Sequence, residues 1–299
     1  MADEKRILVV GDVMEDHYVR VETSRRAPEA DIPVWDEVDR TWTPGGAWNV
    51  AENIASLMPE AMVYLAGIVD STNVAGVKSH ISAYSTRAVV EGMKKTRYVS
   101  ANKIIFRSDN FRRFHEDDVR EFEDGLIRNL LLNENVRFDA VVFSDYDKGT
   151  VTKQVVQNCR RLTNLVVVDS KRKDLSLFWK DLEPRRTILK VNEFEWGAQA
   201  GNEVPVEAYF DQTVVTKGKD GAVIRQFDRN ESQYNRYVVH SEEFPTRRAW
   251  SVDVTGCGDT HTAALTVSMV KESDLRQAVR FANEKASQVV QIFGTAIAT

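Results

Sequence analysis

The chain has 299 residues, 42% of them hydrophobic, with 40 Lys and Arg against 45 Asp and Glu for a formal net charge of −5. That composition is too apolar for a disordered protein, offers no basic excess to suggest nucleic acid, and leaves room for one large core or two smaller ones. Two cysteines, Cys159 and Cys257, exclude both a disulfide framework and a cysteine-based zinc site.

The N-terminus places acidic residues before a short apolar run, Ile7-Leu8-Val9-Val10. The run is too short for a secretory signal, and no stretch approaches the ~18 apolar residues of a membrane span. A cytoplasmic protein with no membrane or nucleic-acid partner is expected. Ile7–Val10, closed by Gly11-Asp12, reads as a buried strand of a parallel sheet. Residues 18–42 alternate irregularly and read as an exposed β-element bent at Pro28 and Pro33. Pro44-Gly45-Gly46 ends it, and Trp48–Leu57 has helical spacing.

A strand–helix rhythm follows. Strands are predicted at Met62–Leu65, Ala140–Phe143, Leu165–Val168, Ile188–Val191 and Val214–Thr216. Helices are predicted at Val74–Tyr84, Asp117–Leu132, Val151–Arg161 and Val206–Tyr209. Such alternation implies βαβ units and a parallel sheet covered on both faces. Val99–Phe106 reads as a strand returning to the early β-element, and Ala222–Phe227 with Tyr237–Val239 as a late hairpin. Helices Asp259–Val270 and Leu275–Phe293 close the chain. The expectation is one α/β domain over 1–299, with a small β-sheet formed by about 16–43 and 95–108.

The most informative stretch is Asp253-Val254-Thr255-Gly256-Cys257-Gly258-Asp259-Thr260, where glycines precede an apolar-periodic helix. Backbone N–H groups at a helix start are unsatisfied and have the positive end of the helix dipole behind them. They suit an anion, including one that develops only in a transition state. Asp259 either caps this helix or takes the proton of an attacking hydroxyl, as phosphoryl transfer requires. No G-x-x-x-x-G-K-[ST] loop occurs, and Gly256-x-Gly258 is followed by His261 rather than a third glycine, which disfavours nucleotide sites of those two kinds.

This stretch resembles the C-terminal signature of the ribokinase/PfkB sugar kinases, and further matches run in order along nearly the whole chain. They are Gly11-Asp12-Val13-Met14 with Asp16; Thr23-Ser24-Arg25; Pro28-Glu29-Ala30; and Pro44-Gly45-Gly46-Ala47-Trp48-Asn49. Ser144-Asp145-Tyr146-Asp147-Lys148-Gly149, Val168-Asp169-Ser170-Lys171 and Asn192-Glu193-Phe194-Glu195 follow. Then come Val215-Thr216-Lys217-Gly218 with Gly221, Phe281-Ala282-Asn283 and Gly294-Thr295. The subgroup most similar in these motifs is the kinase half of the bifunctional heptose-7-phosphate kinase/ADP-heptose synthase. The resemblance implies a ribokinase-like fold: a central, mostly parallel sheet, flanking helices and a small β-sheet lid that commonly pairs between subunits. A homodimer through that lid is therefore expected.

It also implies ATP- and magnesium-dependent phosphorylation of a sugar hydroxyl, with the anomeric hydroxyl of a heptose 7-phosphate foremost. A different sugar or nucleoside acceptor, or an inactive sugar-phosphate sensor, stand as alternatives. By the resemblance, Asp259 is the base and the Gly256, Cys257 and Gly258 amides form the anion hole. Asp16, Gly45, Gly46 and Asn49 contact the sugar, and Lys171 matches a position near phosphate groups, either of the substrate or of the nucleotide. Asp145, at the carboxyl end of a strand, is also placed at the substrate. Asn192 and Glu195 organise the phosphates, Glu195 reaching magnesium through water. Thr216, Gly218 and Gly221 lie near the nucleotide, and Asp253 is assigned to a monovalent cation such as K+. Three residues depart from the pattern: Trp48 replaces a small residue and should narrow the sugar pocket, Cys257 replaces Ala, and Ser170 replaces Pro. The sequence ends soon after Gly294-Thr295, so a fused nucleotidylyltransferase is not expected.

Overall fold

Runs of consecutive apolar residues dominate the central strands. In the computed structural model the segments Ala140–Asp145 and Leu165–Ser170 are buried at every position, as strands covered on both faces must be. The structure describes all residues except 1–3, 71–80, 90–91, 102, 112, 133–135, 181–185, 200–203, 211, 234–235 and 247–252. Within them the strands are β1 (Arg6–Gly11), β2 (Val13–Arg26), β3 (Pro33–Gly46), β4 (Met62–Asp70), β5 (Ile81–Val89), β6 (Met93–Ser100) and β7 (Lys103–Asn110). They continue with β8 (Ala140–Asp145), β9 (Leu165–Ser170), β10 (Arg186–Asn192), β11 (Gln212–Thr216), β12 (Ala222–Gln233) and β13 (Arg236–Phe244). The helices are α1 (Ala47–Leu57), α2 (Glu116–Leu132), α3 (Lys153–Arg160), α4 (Glu193–Gly197), α5 (Cys257–Val270) and α6 (Leu275–Val289).

Nine strands form one sheet in the order β13-β12-β11-β10-β9-β8-β1-β4-β5. It is parallel from β11 to β5 and antiparallel at β12 and β13. Alternation along the strands divides the core in two. Ile7 and Val9 point to the layer of α1, α5 and α6, while Leu8 and Val10 point to the layer of α2 and α3. Thr152 caps α3 by accepting from the Val155 amide (3.3 Å), and Asp274 caps α6 by accepting from the Gln277 amide (2.8 Å). Each cap satisfies a donor that the helix itself cannot.

A second sheet, β3-β2-β6-β7, stands apart from the first. The β-element expected at 18–42 is a long antiparallel hairpin, with Pro28 in its turn and Pro33 opening β3. The strand expected at Val99–Phe106 is interrupted at Ala101, whose positive φ of 48° reverses the chain between β6 and β7.

Other expectations need correcting. Residues 74–80 of the predicted helix Val74–Tyr84 lie outside the described residues, and 81–84 begin β5, a parallel neighbour of β4. A short apolar stretch does not distinguish helix from strand by periodicity. Val206–Tyr209 makes only a single 3-10 turn, Val206–Ala208. The last helix stops at Val289 rather than Phe293.

Candidate active site

Open parallel sheets collect ligands beyond the carboxyl ends of their strands. Here those ends carry Asp12 after β1, Asp145 on β8, Ser170-Lys171 at and after β9, Asn192 on β10 and Thr216 on β11. Helix α5 begins at the same edge. Gly256 precedes its first residue at φ 80°, a left-handed conformation that glycine adopts without strain. A Cβ there would press on Thr295 (2.8 Å) and the Asn49 amide nitrogen (3.0 Å).

Asp259 lies in the first turn of α5 and is 5% exposed. Its Oδ2 accepts from Asn49 Nδ2 (3.0 Å) and its Oδ1 from the Tyr146 hydroxyl (2.7 Å). Neither contact caps α5, because Gly256 is the N-cap and no side chain caps the helix. Burial raises the Asp259 carboxyl above its ordinary value and Asp169 adds to that, while the Asn49 and Tyr146 hydrogen bonds pull it down. A carboxylate at a helix start, poised toward proton acceptance, matches the first requirement of a general base.

The early sugar candidates gather beside it. Asp16 on β2 is buried; its Oδ1 pairs with Arg97 Nη1 from β6 (2.6 Å) and its Oδ2 accepts from the Thr295 hydroxyl (3.4 Å). A Cβ on Gly45 would collide with that carboxylate, so glycine is what lets β3 pass so close. Gly46, at φ 58°, turns the chain into α1, and the Ala47 amide donates to the Asp12 carbonyl (3.0 Å). Asn49 is held by Asn53, whose Nδ2 donates to Asn49 Oδ1 (3.0 Å). Trp48 turns into the core, 2% exposed, with its Nε1 donating to Glu52 (3.2 Å) and its ring against Trp42 of β3 (5.7 Å).

A second cluster underlies the start of α5. Lys190, buried within β10, donates to Asp169 Oδ2 (2.8 Å), and a Cβ on Gly258 would come within 3.3 Å of its ammonium. Lys171 bridges Asp169 Oδ1 and Glu195 Oε1, each at 2.9 Å, and the Thr262 hydroxyl of α5 donates to Asp169 Oδ2 (2.8 Å). Burial alone would push the Asp169 carboxyl up, but the two lysines more than offset it and hold it well below the usual range. The same pairing, against burial, holds Lys171 above its ordinary value.

Glu195 and Asn192 form a reciprocal capping box at the start of α4: Glu195 accepts from the Asn192 amide (2.8 Å) and Asn192 Nδ2 (2.7 Å), and Asn192 Oδ1 accepts from the Glu195 amide (2.9 Å). With Lys171 added, both Glu195 oxygens are engaged, which disfavours direct metal ligation and leaves contact through water. Among the described residues no group of three or more His, Cys, Asp or Glu could hold a metal by itself. Asp253 accepts from the Thr255 amide (2.9 Å), the Thr255 hydroxyl (2.7 Å) and the Gly294 amide (3.1 Å), with no basic partner among the described residues.

Thr216, at the end of β11, donates to the Val191 carbonyl (3.3 Å). Gly218 and Gly221 both have positive φ in the turn that follows, at 55° and 93°, and a Cβ on Gly221 would strike the Phe244 carbonyl. Asp145 is engaged from all sides by the Ser170 hydroxyl (2.7 Å), Arg172 Nε (2.7 Å) and the Asp147 amide (3.0 Å). It ties β8 to β9, and its carboxylate is not free to meet a ligand without rearrangement.

Cys257 is half-buried, burial with two nearby carboxylates pushes its thiol up to about 11, and its backbone N–H donates to the Val254 carbonyl (3.3 Å). His261 faces inward, and burial together with Lys190 drives it down to about 3, so it is neutral and donates Nε2–H to Asn283 Oδ1 (3.2 Å).

Sequence reasoning assigned no role to Tyr146, Arg97, Asp169 or Lys190. A lysine inside the apolar run Ile188–Val191 was the one local signal, since a buried lysine needs a partner.

The pfkB family carbohydrate kinase model matches residues 4–299. The bifunctional protein HldE of Helicobacter hepaticus is 31% identical over 98% of this chain and 62% of its own length, and that of Stutzerimonas stutzeri 33% over the same shares. The chain thus spans just under two thirds of these relatives. In fold it is similar to Escherichia coli phosphofructokinase-2 in a complex with potassium (TM-score 0.70, 17% identity, 99% of this chain and 95% of that one). It is also similar to Thermotoga maritima ribokinase (TM-score 0.66, 15% identity, 98% and 95%).

Proposed function

Since this chain belongs to the pfkB family of carbohydrate kinases, we propose that it transfers the γ-phosphoryl group of ATP to the anomeric hydroxyl of D-glycero-D-manno-heptose 7-phosphate. The observation that carries the reading is the buried Asp259 carboxylate, oriented by Asn49 and Tyr146 in the first turn of a helix that no side chain caps. Asp259 takes the proton of the attacking hydroxyl. The Gly256, Cys257 and Gly258 amides, with the α5 dipole behind them, stabilise the negative charge on the transferring group. Asp16, Gly45 and Asn49 orient the sugar, and the small sheet β3-β2-β6-β7 covers it. Lys171, just beyond β9 and shared between Asp169 and Glu195, meets a phosphate group of the nucleotide or the sugar. Thr216, Gly218 and Gly221 border the nucleotide.

Glu195 and Asn192 would hold the water shell of a magnesium ion, which when bound would offset the charge of the nucleotide's phosphates. Asp253 retains a buried negative charge after its three hydrogen bonds, which suits a monovalent cation such as K+. The HldE relatives, together with the motifs shared with the kinase half of the heptose-7-phosphate kinase/ADP-heptose synthase, favour a heptose over other acceptors. Exposed Trp35, Val38, Ile104, Ile105 and Phe106 on the small sheet support pairing with a second copy of the chain.

ADP release measured against a panel of sugars and sugar phosphates, including both anomers of heptose 7-phosphate, tests the proposal. Turnover is expected on one heptose 7-phosphate anomer. Binding of ATP with no ADP release on any acceptor would overturn it in favour of a sugar-phosphate sensor.

A further inference from the structure

A polar side chain on the buried face of α1 is costly unless every hydrogen-bonding position on it is filled. Asn53 meets that condition: it is fully buried, and all four of its positions are used. Its Nδ2 donates to the carbonyl (2.9 Å) and to the Oδ1 (3.0 Å) of Asn49, one turn earlier in α1. Its Oδ1 accepts from the Thr260 hydroxyl of α5 (3.1 Å) and from the Ala298 backbone amide in the segment after α6 (3.0 Å). Ala298 is itself held at its other end, where its carbonyl accepts from the Ser56 hydroxyl of α1 (2.7 Å).

Two of these partners have no choice of role, because a backbone N–H only donates and a backbone C=O only accepts. The Ala298 amide holds Asn53 Oδ1 on one side, and the Asn49 carbonyl holds Asn53 Nδ2 on the other. With Asn53 fixed, Asn49 turns its Oδ1 toward Asn53 Nδ2, which leaves its own Nδ2 facing Asp259 Oδ2 (3.0 Å). A reversed Asn49 amide would set nitrogen against nitrogen at Asn53 and oxygen against oxygen at Asp259. The chain of donors thus runs one way, from the backbone after α6 through Asn53 and Asn49 to the carboxylate.

We propose that Asn53 is a positioning residue for the base: it fixes the sense of the Asn49 side-chain amide, so that N–H rather than C=O faces the Asp259 carboxylate. Leucine would fill similar space without the desolvation cost of an amide, so packing alone does not account for an asparagine here. Among the influences on the Asp259 carboxyl, burial is the largest and raises it, and the Asn49 hydrogen bond is the largest that opposes burial. Asp169 of β9 also raises it, Tyr146 and Lys95 of β6 lower it, and Cys257 lies nearby on α5. Asn53 carries no charge, so its influence passes through Asn49. That Asp259 is a base rests on the kinase reading; the sense of the Asn49 amide does not.

Asn53→Leu keeps the size and removes the polarity. Thr260→Val is its control, since it deletes one donor to the same Asn53 oxygen while the Ala298 amide still sets the sense. The measurements are kcat/KM against pH and the titration of the Asp259 carboxyl, followed by carbon NMR on isotope-labelled aspartate and assigned by its loss in Asp259→Asn. In Asn53→Leu both midpoints should move up. On the acid side kcat/KM should fall about 10-fold or more, the worth of one hydrogen bond to a charged group, and the gap should narrow as pH rises. Thr260→Val should lower the melting temperature and leave both midpoints in place. Should Asn53→Leu not fold, the wild-type protein still decides: the nitrogen-labelled Asn49 side-chain NH2 signal should shift through the Asp259 titration, because its N–H faces that carboxylate. An Asn49 signal indifferent to that titration overturns the proposal, as do unmoved midpoints in Asn53→Leu or equal shifts in both variants. Unmoved midpoints with phosphoryl transfer intact would leave the kinase reading standing. An upward carboxyl titration in Asn53→Leu alone, without ADP release from wild type on any acceptor, would uphold the orientation and sink the transfer reading.

Discussion

Replacing Asp259 with Asn removes the proposed base while nearly preserving its shape. The carboxylate accepts two hydrogen bonds, from Asn49 Nδ2 and the Tyr146 hydroxyl. An amide can satisfy both neighbours: its oxygen accepts from Asn49, and its NH2 donates to the Tyr146 oxygen, because a phenol also accepts. The Tyr146 O–H loses its acceptor, a loss offset because a buried carboxyl that desolvation disfavours becomes neutral. The melting temperature should therefore hold or rise, and calorimetric affinities for ATP and sugar phosphate should stay within a few-fold. General-base catalysis is worth about 10²–10⁴ in rate, or about 3–5 kcal/mol in the barrier at 1.36 kcal/mol per decade. A coupled ADP-release assay should thus show kcat lower by that factor. The pH profile gives a second reading. A base must be ionised, so kcat/KM should fall toward acid with a midpoint above the usual aspartate range. Tyr146→Phe deletes a donor that favours the ionised form, so it should move that limb further up. If Asp259→Asn retains kcat within about 10-fold, below the general-base range, Asp259 is not the base.

Gly45→Ala drives a methyl group into the Asp16 carboxylate and should raise the KM for the sugar about 10-fold or more by displacing a charge-assisted contact, with little change in the KM for ATP; equal effects on both would argue against a sugar role for Asp16. Lys190→Met leaves Asp169, which is 2% exposed, one cation short and should destabilise the fold by about 3–5 kcal/mol in chemical denaturation. An unchanged midpoint would mean that Lys171 and Thr262 suffice for Asp169. Asp12 is pushed up to about 6, first by burial and then by Asp145. Its proton is bound more tightly in the folded state than in the unfolded chain, so its contribution to stability is greatest below ~pH 4, declines as pH rises to about 6, and is flat above. From 3.8 to about 6 the span is worth at most about 3 kcal/mol. Asp12→Asn should flatten the denaturation midpoint across that window, and an identical slope in the variant would refute the assignment.

What the sequence could disclose depended on how local the cause was. β8 and β9 were legible because a strand buried on both faces shows as an uninterrupted apolar run. α5 was legible because its glycines and its helix period adjoin. β5 was misread because an apolar stretch of that length carries no distinguishing period, and its neighbour β4 is remote from the pattern itself. The site divides in the same way. Asp259 and Gly256 announce themselves by spacing, whereas Tyr146 matters only because folding carries its hydroxyl across 113 positions to Asp259. Asn192 and Glu195 show why a motif underdetermines a role: the capping box alone accounts for their spacing. What points beyond capping is Lys171, arriving from β9 to share the same carboxylate.

That sharing bears on how a chain of net charge −5 can handle phosphates. Lys171, Lys190, Asp169 and Glu195 form an alternating network of two cations and two anions, so the site holds no large excess of positive charge before its ligand arrives. Lys190 is fully committed, buried with Asp169 beneath Gly258. Lys171 is not, because its side chain is 27% exposed and it divides itself between two carboxylates. Glu195 is held by the capping box without it, so Lys171 can turn toward an incoming phosphate while Glu195 keeps its place and Asp169 keeps Lys190 and Thr262. Within this network Lys171 is therefore the member free to exchange partners, and Lys190 the member that holds the floor beneath Gly258 in register. Lys171→Met should accordingly weaken ATP binding more than it lowers the melting temperature, the reverse of Lys190→Met. Equal losses of stability in both variants would mean that the network is a structural unit with no part in binding phosphate.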